Sequence, residues 1–114
     1  MAKGPLEHDA SLFQELFEQA RGLDPAVRTG RMFGCPAVFC GRKMAACVYG
    51  DSIGLRVPEA IAAINKRSGR ASPFQPFGKR DMREWIRFDG GVTAVAAGRD
   101  LIAAAITFAE ANNG

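Results

Sequence analysis

Between Thr29 and Val57 the apolar residues recur at every second position, and Gly34, Gly41, Gly50 and Gly54 punctuate the stretch. A period of two with glycine punctuation is the mark of short strands joined by tight turns. A glycine in the first place of a two-residue Gly41-Arg42 turn suits a type II′ hairpin. The register that follows sets Cys40 opposite Lys43, Phe39 opposite Met44, Val38 opposite Ala45, Ala37 opposite Ala46 and Pro36 opposite Cys47. One face then carries Phe39, Met44, Ala46 and Val48, and the other carries Val38, Ala45, Cys47 and Tyr49. Both are apolar. A sheet wetted on one side alternates apolar with polar, so this hairpin is expected to be covered on both faces.

The flanking segments supply covers. In "DASLFQELFEQARG" Leu12, Phe13, Leu16, Phe17 and Ala20 recur at helical spacing, with Asp9 or Ser11 as N-cap and Gly22 as a left-handed stop. Pro58 opens a short helix whose expected buried stripe is Ala60, Ile61 and Ile64. "RSGRASPFQPFGKR" reads as a basic, proline-rich loop, and "MREWIRF" as one more strand. "GRDLIAAAITFAEANN" closes as a helix burying Leu101, Ile102, Ala105, Ile106 and Ala109, with Asp100 in its first turn where the dipole favours an acid. The expected fold is therefore α+β: helices on a mostly antiparallel sheet in two layers, in the order helix, three or four strands, helix, one or two strands, helix. With 114 residues this makes one domain, with a core over about residues 9–111.

No stretch is apolar for long enough to span a membrane, and no secretory leader is visible, so a cytoplasmic location is expected. Three cysteines, an odd number, fit a reducing compartment better than a disulfide framework. Their spacing, Cys35-x4-Cys40-x6-Cys47, lacks the short Cys-Cys interval of structural zinc. In the register above Cys47 lies opposite Pro36, which argues against an internal bridge, so three free thiols and no metal are expected. The single histidine, His8, falls in an N-terminal segment expected to be mobile, away from any nucleophile. Glu59, Asp81 and Glu84 form no recognisable acid-base pair, and "GVTAVAAGRD" lacks the spacing of a phosphate-binding glycine loop. The reading is a non-enzyme without cofactor.

Charge is unevenly spread: residues 28–87 hold twelve Lys/Arg against four Asp/Glu, while both flanks are acidic. Such asymmetry points to anionic partners. In "MREWIRF" Arg83, Trp85 and Arg87 are expected on one side of the strand, with Met82, Glu84, Ile86 and Phe88 on the other. Two guanidiniums beside an indole suit an anion or a planar ring.

"RMFGCPAVFCGRKMAACV" resembles the Met-Phe-Gly-Gly segment, hairpin and following strand of the TfoX/Sxy N-terminal domain family. "SPFQPFGKRDMREWIRFD" resembles that family's strand with Pro-Phe, Gly-(Arg/Lys) and Met-Arg-X-(Trp/Tyr). The resemblance runs over residues 10–111, with Cys35 and Pro36 departing from the family's second glycine and the residue after it. It implies a secretion-chaperone-like arrangement of helices on an antiparallel sheet, and a competence-regulator-like domain without the second, helical domain of full-length members. It also adds Arg56, at the family's usual basic position, to Arg83, Trp85 and Arg87 as a candidate anion- or ligand-binding surface.

The function expected is a non-enzymatic regulatory or protein-interaction domain. The alternatives are a nucleic-acid-associated basic protein, for which no recognition helix is visible, and a domain binding a small anionic or aromatic ligand on the Arg/Trp surface. A homodimer is expected through Val38, Ala45, Cys47 and Tyr49, because three short helices cover one face and leave these exposed. The competing cover for that face is a terminal segment or the proline-rich loop.

Overall fold

The computed structural model describes residues 8–32, 34–76, 78 and 82–112. Its elements are α1 (Ala10–Leu23), β1 (Arg28–Met32), β2 (Cys35–Cys40), β3 (Lys43–Tyr49), β4 (Ser52–Arg56), α2 (Glu59–Arg67), β5 (Ser72–Pro73), β6 (Trp85–Phe88), α3 (Val92–Ala97) and α4 (Arg99–Ala111). The strands form one open sheet in the order β1-β2-β3-β4-β6-β5, every neighbour antiparallel. The protein is α+β, with four helices among the described residues rather than the expected three: "VTAVAA" coils as α3 before Gly98 and α4. None of the helices among the described residues is long and apolar enough to cross a membrane.

The turns follow from glycines that enter the left-handed region: Gly34 at φ 75°, Gly41 at 59° and Gly50 at 65°. Gly54 is not a turn residue; it lies inside β4 opposite Cys47 and Arg87. Helix α1 begins as expected, with Asp9 Oδ1 accepting from the Leu12 N–H at 3.0 Å. It does not stop at Gly22. The helix runs through that residue to Leu23, and extended Asp24 ends it, its side chain accepting from the Ala26 N–H just past Pro25. Helix α2 buries Ala62 rather than the expected stripe; Ala60 and Ile64 face outward, because the helix meets β5 and β6 along a line through Ala62.

The hairpin register holds at its turn and then slips. Cys40 faces Lys43 and Phe39 faces Met44, but Val38 faces Ala46 and Ala37 faces Cys47, with Ala45 as the extra residue in β3. A bulge of this kind changes which face each later residue occupies. The two expected faces are therefore each split. Val38, Ala45, Ala46 and Val48 join Cys40, Ile53, Leu55, Ile86 and Phe88 in a core under α1 and α4, with Leu12, Leu16, Ile102, Ala105, Ile106 and Ala109. Cys47 and Met44 join Cys35, Ala37, Phe74 and Trp85 in a second, smaller core on the opposite face, flanked by Phe39, Tyr49 and Met82.

The expected apolar dimer surface is accordingly not a surface. Val38 and Ala45 lie under helices, Cys47 lies in the second core, all three at 1% exposure or less, and only Tyr49 is half-exposed. The proline-rich loop provides the second cover. Its Phe74 stands 5.2 Å from the Trp85 ring and 5.8 Å, edge-on, from Tyr49, whose hydroxyl donates to the Pro76 carbonyl. Aromatic contacts of this geometry add to area burial. The loop's basic stem is fixed separately: Arg70 makes a two-pronged pair with Asp100 at 2.7 and 3.0 Å and donates to the Ala97 carbonyl. His8 is not loose either. Its Nδ1 accepts from the Gly50 N–H at 2.9 Å, its ring lies 5.9 Å from Tyr49, and the Asp9 N–H donates to the Gly50 carbonyl.

Candidate functional site

The second face of the sheet is not covered along its whole length. At the end marked by the Gly41 turn an open groove of about 340 Å³ is lined by Met32, Arg42, Lys43, Met44, Arg56 and Trp85. The sequence folds this way locally because three elements end there. The hairpin turn presents Arg42 and Lys43 to solvent, β4 ends at Arg56, and β6 begins at Trp85, the ladder partner of Arg56. Since Phe39 pairs with Met44 before the bulge, Met44 falls on the groove side together with Cys47 beyond it.

Three cationic side chains thus surround an apolar floor of two thioethers and an indole. A fourth cation stands beside it: the Arg28 guanidinium lies 5.2 Å from the Phe39 ring centroid and donates to the Gly41 carbonyl at 2.7 Å. That hydrogen bond ties the edge strand to the turn without neutralising the charge, because a carbonyl is its acceptor. Arg56 is held differently. It pairs with Glu84 at 2.9 Å, its guanidinium lies 4.9 Å from the Phe108 ring, and its side chain keeps 25% exposure. An ion pair this exposed is weak and exchangeable, so an incoming carboxylate or phosphate competes with Glu84 on similar terms.

Of the four candidate residues read from the sequence, the structure brings Arg56 and Trp85 together and separates the other two. The strand starts at Trp85, not Met82, so the alternation does not reach back to Arg83, which lies exposed in the turn before it. Met82 packs with Trp85's core, and its carbonyl accepts the Trp85 N–H. Arg87 lies farther along β6, opposite Gly54, with its Nη2 on Asp89 at 3.2 Å; Asp89 also accepts from the Ser52 hydroxyl. Trp85 is no stacking platform, since it is 5% exposed and packed on Phe74. Arg42, Lys43, Met44 and Met32 were not foreseen as site residues. Their signal was the turn itself, which puts two adjacent cations at a strand end, but the bulge that brings Met44 to the same side has no mark in the sequence.

A second group of ionisable residues stands at the same sheet end on the helix side. Asp24 and Glu110 share a hydrogen bond that holds Asp24 below its ordinary value, helped by the Ala26 N–H, and pushes Glu110 above its own. Close by, burial and these two carboxylates push the Cys40 thiol up to about 11. A thiol so placed is protonated and inert. Among the described residues no set of three or more His, Cys, Asp or Glu side chains could hold a metal ion.

What fold and site define together is a small α+β protein with a six-stranded antiparallel sheet covered on both faces and a cation-rimmed groove at one sheet end. Comparison with protein families, with curated proteins and with solved structures returns no match.

Proposed function

We propose that this chain is a non-enzymatic interaction domain, of the TfoX/Sxy N-terminal kind that its segments resemble, which engages an acidic polypeptide at the groove. The observation that carries the reading is the convergence of Arg42, Lys43 and Arg56 on a floor made by Met32, Met44 and Trp85. Cations around the rim steer and orient an anionic partner. Thioethers on the floor suit an apolar side chain from that partner, because an unbranched, polarisable chain adapts to varied shapes. A protein partner is favoured over single-stranded nucleic acid because base stacking needs an exposed ring, and here Trp85 is buried while Phe39 and Tyr49 are half-buried.

Trp85 is the only tryptophan of the chain and lines the groove, so its emission reports occupancy. A Glu/Leu-containing acidic peptide titrated at low salt is expected to change that emission, with affinity falling as salt rises. Arg42→Glu combined with Lys43→Glu is expected to abolish the change while leaving the far-UV circular dichroism intact. Unchanged peptide affinity in that double variant refutes this site. Tighter binding of a mixed-sequence DNA strand, with a salt slope losing about one unit per contact removed, would favour a nucleic-acid partner instead.

A further inference from the structure

We propose that Cys35 and Cys47 are a redox pair that closes to an intramolecular disulfide when the protein meets a hydroperoxide, tying β2 to β3 beneath the proline-rich loop. The bulge at Ala45 makes this possible. In a regular hairpin Cys47 would face Pro36 and point away from Cys35. In the observed register it faces Ala37, so Cys35 is its diagonal neighbour on the same face. The two belong to one buried cluster, and their thiols are hydrogen-bonded to each other. No disulfide joins them in the structure, and Cys40 lies in the other core. Diagonal residues start slightly wider than a bridged pair, so closure needs a small inward shift of two adjacent strands and yields a bond that is easily reduced.

The pair is chemically unequal. The hydrogen bond from Cys47, helped by the positive charge of Arg31 and opposed by burial, lowers the Cys35 thiol, and the same bond together with burial pushes Cys47 well up. Cys35, the first residue of β2 and beside the left-handed Gly34 turn, is the thiol that local opening reaches first, and it takes the role of nucleophile. Its thiolate attacks one peroxide oxygen, the O–O bond breaks, and the products are a sulfenic acid on Cys35 and one water or alcohol. The Cys47 sulfur then attacks the Cys35 sulfur, the S–O bond breaks, and the hydroxide leaves as water with the Cys47 proton. Both thiols are fully buried, so the first step waits on local opening. Cys35 is suited to that, being the first residue of β2, next to the Gly34 turn and the edge strand.

The test exposes the folded 114-residue chain to hydrogen peroxide, blocks remaining thiols with iodoacetamide after unfolding, and measures intact and peptide masses. The expected product has lost about 2 Da, takes up one alkyl group on Cys40, contains a Cys35–Cys47 linked peptide, and returns to three alkylatable thiols after dithiothreitol. Cys40→Ala is expected to bridge just as readily, and Cys35→Ser not at all. Should Cys35→Ser fail to fold, the Cys40→Ala variant decides alone. Three alkylatable thiols after peroxide, a bridge through Cys40, a bridge between two chains, or oxidation to sulfinic acid without a bridge would each overturn the proposal.

Discussion

Gly54→Ala tests whether the proline-rich loop is a true second layer. A Cβ at this position would lie 3.1 Å from Cys47 Sγ and 3.1 Å from both Cε1 and Cζ of Phe74, all inside the second core. Gly54 has no left-handed φ, so the backbone itself accepts alanine. In an open strand the substitution would stabilise by about 0.4–1 kcal/mol through the unfolded state. Here it meets two side chains exposed by 1% or less, and overpacking a closed core costs about 1–3 kcal/mol. The net expectation is a destabilisation of about 0.5–2 kcal/mol, or a melting-temperature drop of about 2–8 °C for a chain of this size. Urea unfolding followed by Trp85 emission measures it, with the slope against denaturant unchanged. In a Phe74→Leu background the penalty should shrink by about 0.5 kcal/mol or more, because the ring that meets the Cβ is gone. A neutral or stabilising Gly54→Ala would refute the reasoning, since it would mean that Phe74 does not close over the sheet.

Asp9→Ala removes the N-cap acceptor for Leu12 and is expected to cost about 1 kcal/mol in urea unfolding, whereas Asp9→Ser should cost less. Arg70→Ala breaks the pair with Asp100, but the partners are 40% and 63% exposed, so the expected loss is about 0.3–1 kcal/mol and should shrink in high salt. Acid titration should show two opposite slopes. Asp24, lowered by its Glu110 hydrogen bond, and Asp100, lowered by Arg70, make stability rise as pH climbs toward their ordinary 3.8. Glu110, raised by Asp24, binds its proton more tightly in the folded chain, so stability declines again just above its ordinary 4.5. Glu110→Gln should remove that decline, and a variant that keeps it would show that the carboxylate pair is not its origin.

The outer elements were the most legible. Helix α4 buries the five residues its spacing marked, because a long stripe with a period near 3.6 admits one orientation against a sheet. The requirement for two covers was also legible, since no alternation of apolar with polar runs through Val38 to Tyr49. What failed was fine placement. One extra residue, Ala45, moved Cys47 relative to Cys35 and set Met44 and Ala46, expected on one face, on opposite faces, and small residues such as alanine carry no preference that announces a bulge. The site suffered from the same kind of error at Met82, where a turn was read as strand. Alternation extended three residues too far placed Arg83 on the same side as Trp85, whereas the cations that line the groove with the indole are Arg42 and Lys43 of the hairpin turn and Arg56 at the end of β4.

The two edges of the sheet are unequal, and this limits how copies of the chain can associate by backbone pairing. One edge is β5, two residues long and ending in Pro73, whose nitrogen has no hydrogen to donate. The other is β1, five residues with Arg28 and Arg31 among them. Fibril growth consumes one edge and must regenerate another at each addition. A chain with a single pairable edge cannot propagate: two copies joined through β1 present only their β5 sides, and extension ends there. The short proline-bearing strand therefore acts as a chain terminator for sheet assembly, and Pro73 is the residue whose replacement by a β-branched one would be expected to remove that protection.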